Sequence, residues 1–247
     1  MRSRAARENA AVNRPVGIRA VSFDVGGTLI RPWPSVGHVY AEVAVQHGVP
    51  RASPALLNRR FRAAWARRDQ PHHTREQWQE LVDEVFAGLA HPPPSRTFFP
   101  ELYDRFSQAA AWRVFDDVRT TLGFLKRRRI PLAVISNWDE RLRPLLTALD
   151  LQASFSSIVI SCEIGAAKPS PLIFQEAAYQ LSLPPQSILH LGDSEKDDLD
   201  GAHAAGFEAL RIDRGQTAGS NGLITSLEEL KRVLGRLHSI ETTDGHR

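Results

Sequence analysis

The sequence predicts an α/β protein: a parallel sheet wound on both faces by helices, with an all-helical insert after the first strand. Three observations lead there. Short apolar runs rich in β-branched residues recur with helical patterns between them, which implies parallel strands joined by crossover helices. Residues 33–112 break that alternation, carrying helical periodicity and no good strand signal. Polar residues able to do chemistry follow the apolar runs, where a parallel sheet gathers them at one edge.

In chain order, residues 1–16 read as a disordered basic tail, and 18–23 as the first strand. Helical patterns at 38–47, 54–68, 75–89 and 97–109 fill the insert. Gly48-Val49-Pro50, Gln70-Pro71 and Pro92-Pro93-Pro94 break them apart. Strands are then expected at 132–135, 158–160, 188–191 and 209–212. Helices at 117–129, 139–149, 171–182 and 198–205 alternate with them, and 226–238 reads as a closing helix. The expected division is a core of 17–32 and 113–247, with 33–112 as a small second domain hinged at both ends.

Composition narrows the function. Of 247 residues, 42% are hydrophobic and 24% charged, as in ordinary globular proteins. No apolar run is long enough to cross a bilayer, so no membrane partner is expected. Arg2, Arg4, Arg7 and Arg14 against Glu8 account for the whole formal charge of +3, which leaves no global field to hold nucleic acid. The internal basic run Lys126-Arg127-Arg128-Arg129 closes a helical pattern opened by Asp116-Asp117, as the helix dipole favours. The single cysteine, Cys162, excludes an internal disulfide, suits a reducing cytoplasm, and reads as a small buried apolar residue.

Four polar sites follow the apolar strands. They are Asp24 with Thr28, Ser136-Asn137, Lys168, and an acidic Gly-Asp turn carrying Asp193, Asp197 and Asp198. Each alone has a plain structural reading, since an Asp after a strand often caps a turn. Together at one sheet edge they read as an active site.

Those motifs stand here as "FDVGGTL", "VISNWDERL", "KPSPLIFQEA" and "LHLGDSEKDDLDGAHAAGF", with "YAEVAVQHG" opening the insert. In order and spacing the chain resembles the haloacid dehalogenase-like (HAD) superfamily across about residues 18–238. The resemblance implies a Rossmann-like core, a C1-type helical cap after the first motif, and Mg²⁺-dependent hydrolysis of a small phosphorylated molecule through an aspartyl-phosphate. It makes Asp24 the nucleophile and gives Mg²⁺ to the Asp24 carboxylate, the Gly26 carbonyl and Asp193. Ser136 and Asn137 would bind the phosphoryl group, and Lys168 would hold charge on it and on Asp24. Asp198 or Asp197 takes the family's second acidic position, and Thr28 orients the nucleophile loop.

One position departs from the pattern. Family phosphatases carry an aspartate two residues after the nucleophile, to protonate the leaving oxygen; this chain has Gly26. Phosphonate-cleaving relatives recruit a cap lysine, but Lys126, Lys168, Lys196 and Lys231 all lie outside the insert. Metal-free dehalogenases carry tyrosine there, yet Asp193, Asp197 and Asp198 would be costly together without a cation. Three readings stay open: a slow or specialised Mg²⁺ phosphatase, a phosphate-ligand binder without turnover, and a carbon-centred hydrolase. His38, Arg31 and Trp138 are candidates for the substrate pocket, with His38 a possible acid. His72-His73 reads as a solvated loop, and Trp65 and Trp78 as insert core.

Overall fold

The computed structural model describes residues 17–68, 73–216 and 223–234. The chain starts with β1 (Ala20–Phe23), all four residues buried, then turns sharply into β2 (Ile30–Pro32). Four helices follow: α1 (Val36–Gln46), α2 (Pro54–Ala66), α3 (Arg75–Val85) and α4 (Phe99–Arg105). Strand β3 (Trp112–Val114) returns antiparallel to β2, pairing Ile30 with Val114. The alternating half then runs α5 (Val118–Arg127), β4 (Leu132–Ser136), α6 (Leu142–Ala148), β5 (Ser157–Ile160), α7 (Ser161–Ile164) and α8 (Pro171–Leu181). It ends with β6 (Ile188–Gly192), a π-helical turn at Glu195–Asp200, α9 (Gly201–Ala204), β7 (Glu208–Ile212) and β8 (Leu223–Ile224).

Six strands form one parallel sheet in the order β5-β4-β1-β6-β7-β8. The chain runs from β1 outward through β4 to β5, then crosses back to β6 on the other side of β1 and outward through β7 to β8, so the sheet's switch point lies at the carboxyl end of β1. Asp24 is the first residue beyond that end. The helix starts are set locally. Ser53 accepts the Leu56 N–H ahead of Pro54, and Thr74 accepts the Gln77 N–H. Each supplies an acceptor for an otherwise unpaired donor.

The insert has its own buried cluster, with Tyr40, Leu57, Val85, Phe86, Phe98 and Leu102 among its members. Phe86 stacks on Tyr40 with ring centroids 5.9 Å apart and meets Phe98 edge-on at 5.3 Å. Between β2 and β3 the described residues form helices and turns only.

Several expectations need correction. The β2–β3 ribbon and β8 are additional strands, two or three residues long, too short to show an alternation. The helix expected at 198–205 is a π-helical turn followed by α9. Cys162 is exposed on α7 rather than buried. The tail 1–16, His72 and the end of the 226–238 pattern lie outside the described residues.

Replacing Phe86, fully buried in the insert, with alanine is expected to destabilise the protein by about 3–5 kcal/mol. Chemical denaturation measures it; a loss under about 1 kcal/mol would mean that the aromatic cluster relaxes around the void.

Candidate active site

The backbone fixes Asp24 before its side chain is considered. Its N–H donates to the Leu191 carbonyl of β6 at 2.8 Å. The turn closes when the Leu29 and Ile30 N–H groups donate to the Val25 carbonyl at 2.9 and 3.0 Å. Gly27 sits at φ +79°, a left-handed conformation natural to glycine. Arg214 clamps the outside of the turn, donating to the Thr28 carbonyl at 2.6 and 3.2 Å and forking onto Asp117 at 2.9 and 3.0 Å.

Around the Asp24 carboxylate a buried ionic network is assembled. Lys168 Nζ donates to Asp24 Oδ1 at 2.7 Å and to Asp198 Oδ1 at 2.6 Å. Ser136, the last residue of β4, donates its hydroxyl to Asp24 Oδ1 at 3.2 Å. Asp24, Ser136, Lys168 and Asp198 are all buried. The Asn137 side chain is turned to the Lys168 backbone. Its Oδ1 accepts the Lys168 N–H at 2.7 Å and its Nδ2 donates to the Lys168 carbonyl at 2.9 Å. The Asn137 side chain therefore positions Lys168, while the residue itself still lines the cavity beside Ser136.

Asp198, at the head of the network, accepts the Ser194 N–H at 2.9 Å and a bond from His190 Nε2 at 3.1 Å. Burial alone would raise its carboxyl, but Lys168 and then His190 hold it well below the usual carboxylate range. His190 was not picked out in the sequence. It lies within an apolar strand, and its imidazole is fully buried. Burial pushes its pKa down, so the ring is neutral. Asp198 requires a proton on Nε2, which leaves Nδ1 to accept from the Ser22 hydroxyl at 2.9 Å. A Ser22–His190–Asp198–Lys168–Asp24 chain thus crosses the sheet beneath the site.

Burial and the Asp198 charge raise the Asp24 carboxyl, against the pull of Lys168. Asp193 is pushed up to about 7 by burial, then by Asp24 and Asp198. One lysine faces three carboxylates, so the cluster has excess negative charge. Oxygens of Asp24, Asp193 and Asp198 lie within 4.8 Å of one another, a hard-oxygen donor set that could hold a divalent cation. The glycines leave it room. A Cβ on Gly27 would lie 2.2 Å from Asp193 Oδ2, and one on Gly192 would lie 2.0 Å from Asp198 Cγ.

These groups form the floor of a cavity of about 570 Å³, with walls from the insert and from Trp138. Gly26 lies on it, as does Asp197. Three expected residues do not. Thr28 is buried with its hydroxyl unpartnered, outside the cavity lining. His38 is exposed and bonded to the Ser35 hydroxyl at 2.8 Å, because Val36 and Tyr40 present the inner face of α1. Arg31 lies against the rings of Trp33 and Phe115, at 5.0 and 5.7 Å. Among the described insert histidines His73 lines the wall, buried rather than in a solvated loop as expected, and Trp65 and Trp78 are half-buried wall residues rather than core alone.

Gly27→Ala is expected to weaken Mg²⁺ binding by about 10–100-fold through displacement of Asp193. Gly26→Ala, whose Cβ meets only Trp138 Cζ3 at 3.4 Å, should bind as the parent does. Calorimetric titration compares them, and equal affinities would remove Asp193 from the cation site.

Known proteins are similar to this chain in sequence and in fold. The family model described as haloacid dehalogenase-like hydrolase matches residues 18–206. The chain is 32% identical to haloacid dehalogenase-like hydrolase domain-containing protein 3 of Mus musculus over 226 residues, 86% of each chain. It is 25% identical to phosphoglycolate phosphatase of Escherichia coli (strain K12), over 92% of this chain and 97% of that one. In fold it is similar to a putative beta-phosphoglucomutase from Thermotoga maritima, with a TM-score of 0.72 at 24% identity over 89% of this chain and 99% of that one. The chain belongs to the haloacid dehalogenase-like hydrolase family.

Proposed function

We propose that this hydrolase is a Mg²⁺-dependent phosphatase acting on a small phosphorylated molecule through an aspartyl-phosphate at Asp24. The observation that carries the reading is the buried Asp24 carboxylate, held on Oδ1 by Lys168 and Ser136 at the floor of the cavity. With Oδ1 engaged, Oδ2 is the oxygen left to attack phosphorus. A new P–O bond forms to Asp24 as the ester P–O bond breaks, and the departing oxygen takes a proton from water. Water then attacks the phosphoryl group, releasing phosphate and restoring Asp24.

Lys168 supplies the positive charge that the transferring group gathers around, and the Ser136 hydroxyl turns to a phosphoryl oxygen. Asp24, Asp193 and the Gly26 carbonyl would hold Mg²⁺, which when bound would neutralise the repulsion between ester and carboxylate. The helical insert acts as the cap that closes the cavity over the substrate. A phosphatase relative and the hard-oxygen donor set both support this reading.

Gly26 supports a second reading, a ligand-binding protein without turnover, because a residue with no side chain can serve as neither acid nor base. Hydrolysis of any phosphate ester separates the two.

General acid–base assistance is typically worth ~10²–10⁴ in rate. The unmodified protein should therefore hydrolyse alkyl phosphates slowly and suffer less with activated aryl phosphates. Gly26 is not at positive φ and its Cβ position is open but for Trp138, so the backbone accepts an aspartate. Gly26→Asp is expected to raise alkyl phosphate turnover by at least about tenfold. Asp24→Asn should abolish turnover with both ester types. Steady-state phosphate release is the measurement; fast alkyl turnover by the unmodified protein would mean that another group, with His73 first on the wall, delivers the proton.

A further inference from the structure

The upper wall of the cavity says what its occupant looks like. Phe61 and Trp65 lie four residues apart on one face of α2, with rings near-parallel at 11° and centroids 6.0 Å apart. Trp78 of α3 continues the column, 5.4 Å from Trp65 at 14°. All three rings are half-buried and line the cavity that contains Asp24. The column is held from the core side, since Trp78 Nε1 donates to Asp139 Oδ2 at 3.0 Å in the segment after β4.

The two guanidinium groups on this wall are already matched. Arg68 is paired with Glu84 at 3.0 Å and donates to the Ala64 carbonyl at 2.8 Å. Arg141 binds Asp139 through bonds of 2.8 and 2.6 Å, donates to the Tyr103 carbonyl at 2.8 Å, and covers the Tyr103 ring at 3.5 Å. Neither guanidinium awaits a substrate carboxylate. A ligand that carried hydroxyls or a second carboxylate to this column would bury them against apolar ring atoms, which costs free energy unless each finds a partner.

We propose that the site accepts a phosphate monoester whose body is a flat aromatic group, seated against the Phe61–Trp65–Trp78 column with the phosphate at Asp24. This rests on the phosphatase reading, and it sets a preference opposite to that of a small acid ester such as phosphoglycolate. Aromatic side chains in such a column favour an aromatic body by edge-on contact beyond the area buried.

The test uses two esters with equivalent alkoxide leaving groups, naphthylethyl phosphate and ethyl phosphate, together with phosphoglycolate and the non-hydrolysable naphthylethyl phosphonate. With Mg²⁺ present, kcat/KM for naphthylethyl phosphate should exceed that for ethyl phosphate and for phosphoglycolate by roughly 10–100-fold. Trp65→Ala should collapse the ratio between the two alkyl esters by raising KM for the aromatic one, and Trp65→Phe should restore most of it. The phosphonate should bind the parent and lose affinity in Trp65→Ala, read by calorimetry. If no ester turns over but the phosphonate binds in a Trp65-dependent way, the phosphatase reading fails and this inference stands. If the esters turn over with equal kcat/KM, if phosphoglycolate is preferred, or if the ratio survives in Trp65→Ala, the inference is overturned.

Discussion

The ammonium group of Lys168, buried between Asp24 and Asp198, is the interaction on which the rest of the site depends. A buried cation is tolerated only when it is paired and fully hydrogen-bonded, and here two carboxylates at 2.7 and 2.6 Å meet that condition. They in turn raise its pKa against the opposing effect of burial. Removing the lysine would leave two carboxylates close together with nothing between them. That cost explains the positional control around it: Asn137 grips the backbone on both sides of Lys168, and Ser194 and His190 fix Asp198. Lys168 with Asp24 and Asp198 is still one positive charge short of neutral, and Asp193 adds a third carboxylate beside them. Asp193, on the cavity floor beside Asp24 and Asp198, shows where the deficit is felt.

Parallel topology brings these groups together at little conformational cost. Asp24, Ser136 and Asp193 stand at or just beyond the carboxyl ends of three adjacent strands, β1, β4 and β6. Close approach is then limited by Cβ atoms, and glycine removes them at Gly27 and Gly192. A second, half-buried fork stiffens the Asp24 turn from outside. Asp117 accepts from Arg214, from the Ser226 hydroxyl at 2.8 Å and from the Leu227 N–H at 2.8 Å. Arg214 meanwhile holds the Thr28 carbonyl. The turn after β1, the start of α5 and the segment after β8 are thereby tied at one point.

Much of this was legible in the sequence because strand ends and chemistry coincide. Asp24, Ser136, Lys168, Asp193 and Asp198 each follow an apolar run, and the structure gathers all five. What escaped notice did so for definable reasons. His190 is flanked by Leu189 and Leu191, so it counts as part of a buried strand; its ring meets Phe174 edge-on at 5.2 Å as a core residue would. Nothing local to Asn137 indicates that it serves a lysine 31 positions away. His38 was misplaced although helical phase held the signal, because Val36 and Tyr40, four apart, mark the inner face. Trp65 and Trp78 have the spacing of core residues, and only the assembled cavity reveals their second role. Asp117 looked like a helix-dipole acid and proved to be a hub, which requires the distant Arg214 to see.

The claim that Asp24 is the covalent nucleophile is tested most directly by trapping. The protein is mixed with an activated aryl phosphate and Mg²⁺, quenched, and reduced with borohydride, which converts an aspartyl-phosphate to homoserine. Peptide mass spectrometry then locates the change. The account predicts homoserine at position 24 alone, formed only with both substrate and Mg²⁺. Sustained phosphate release with Asp24 unmodified, or conversion at another carboxylate, would contradict it.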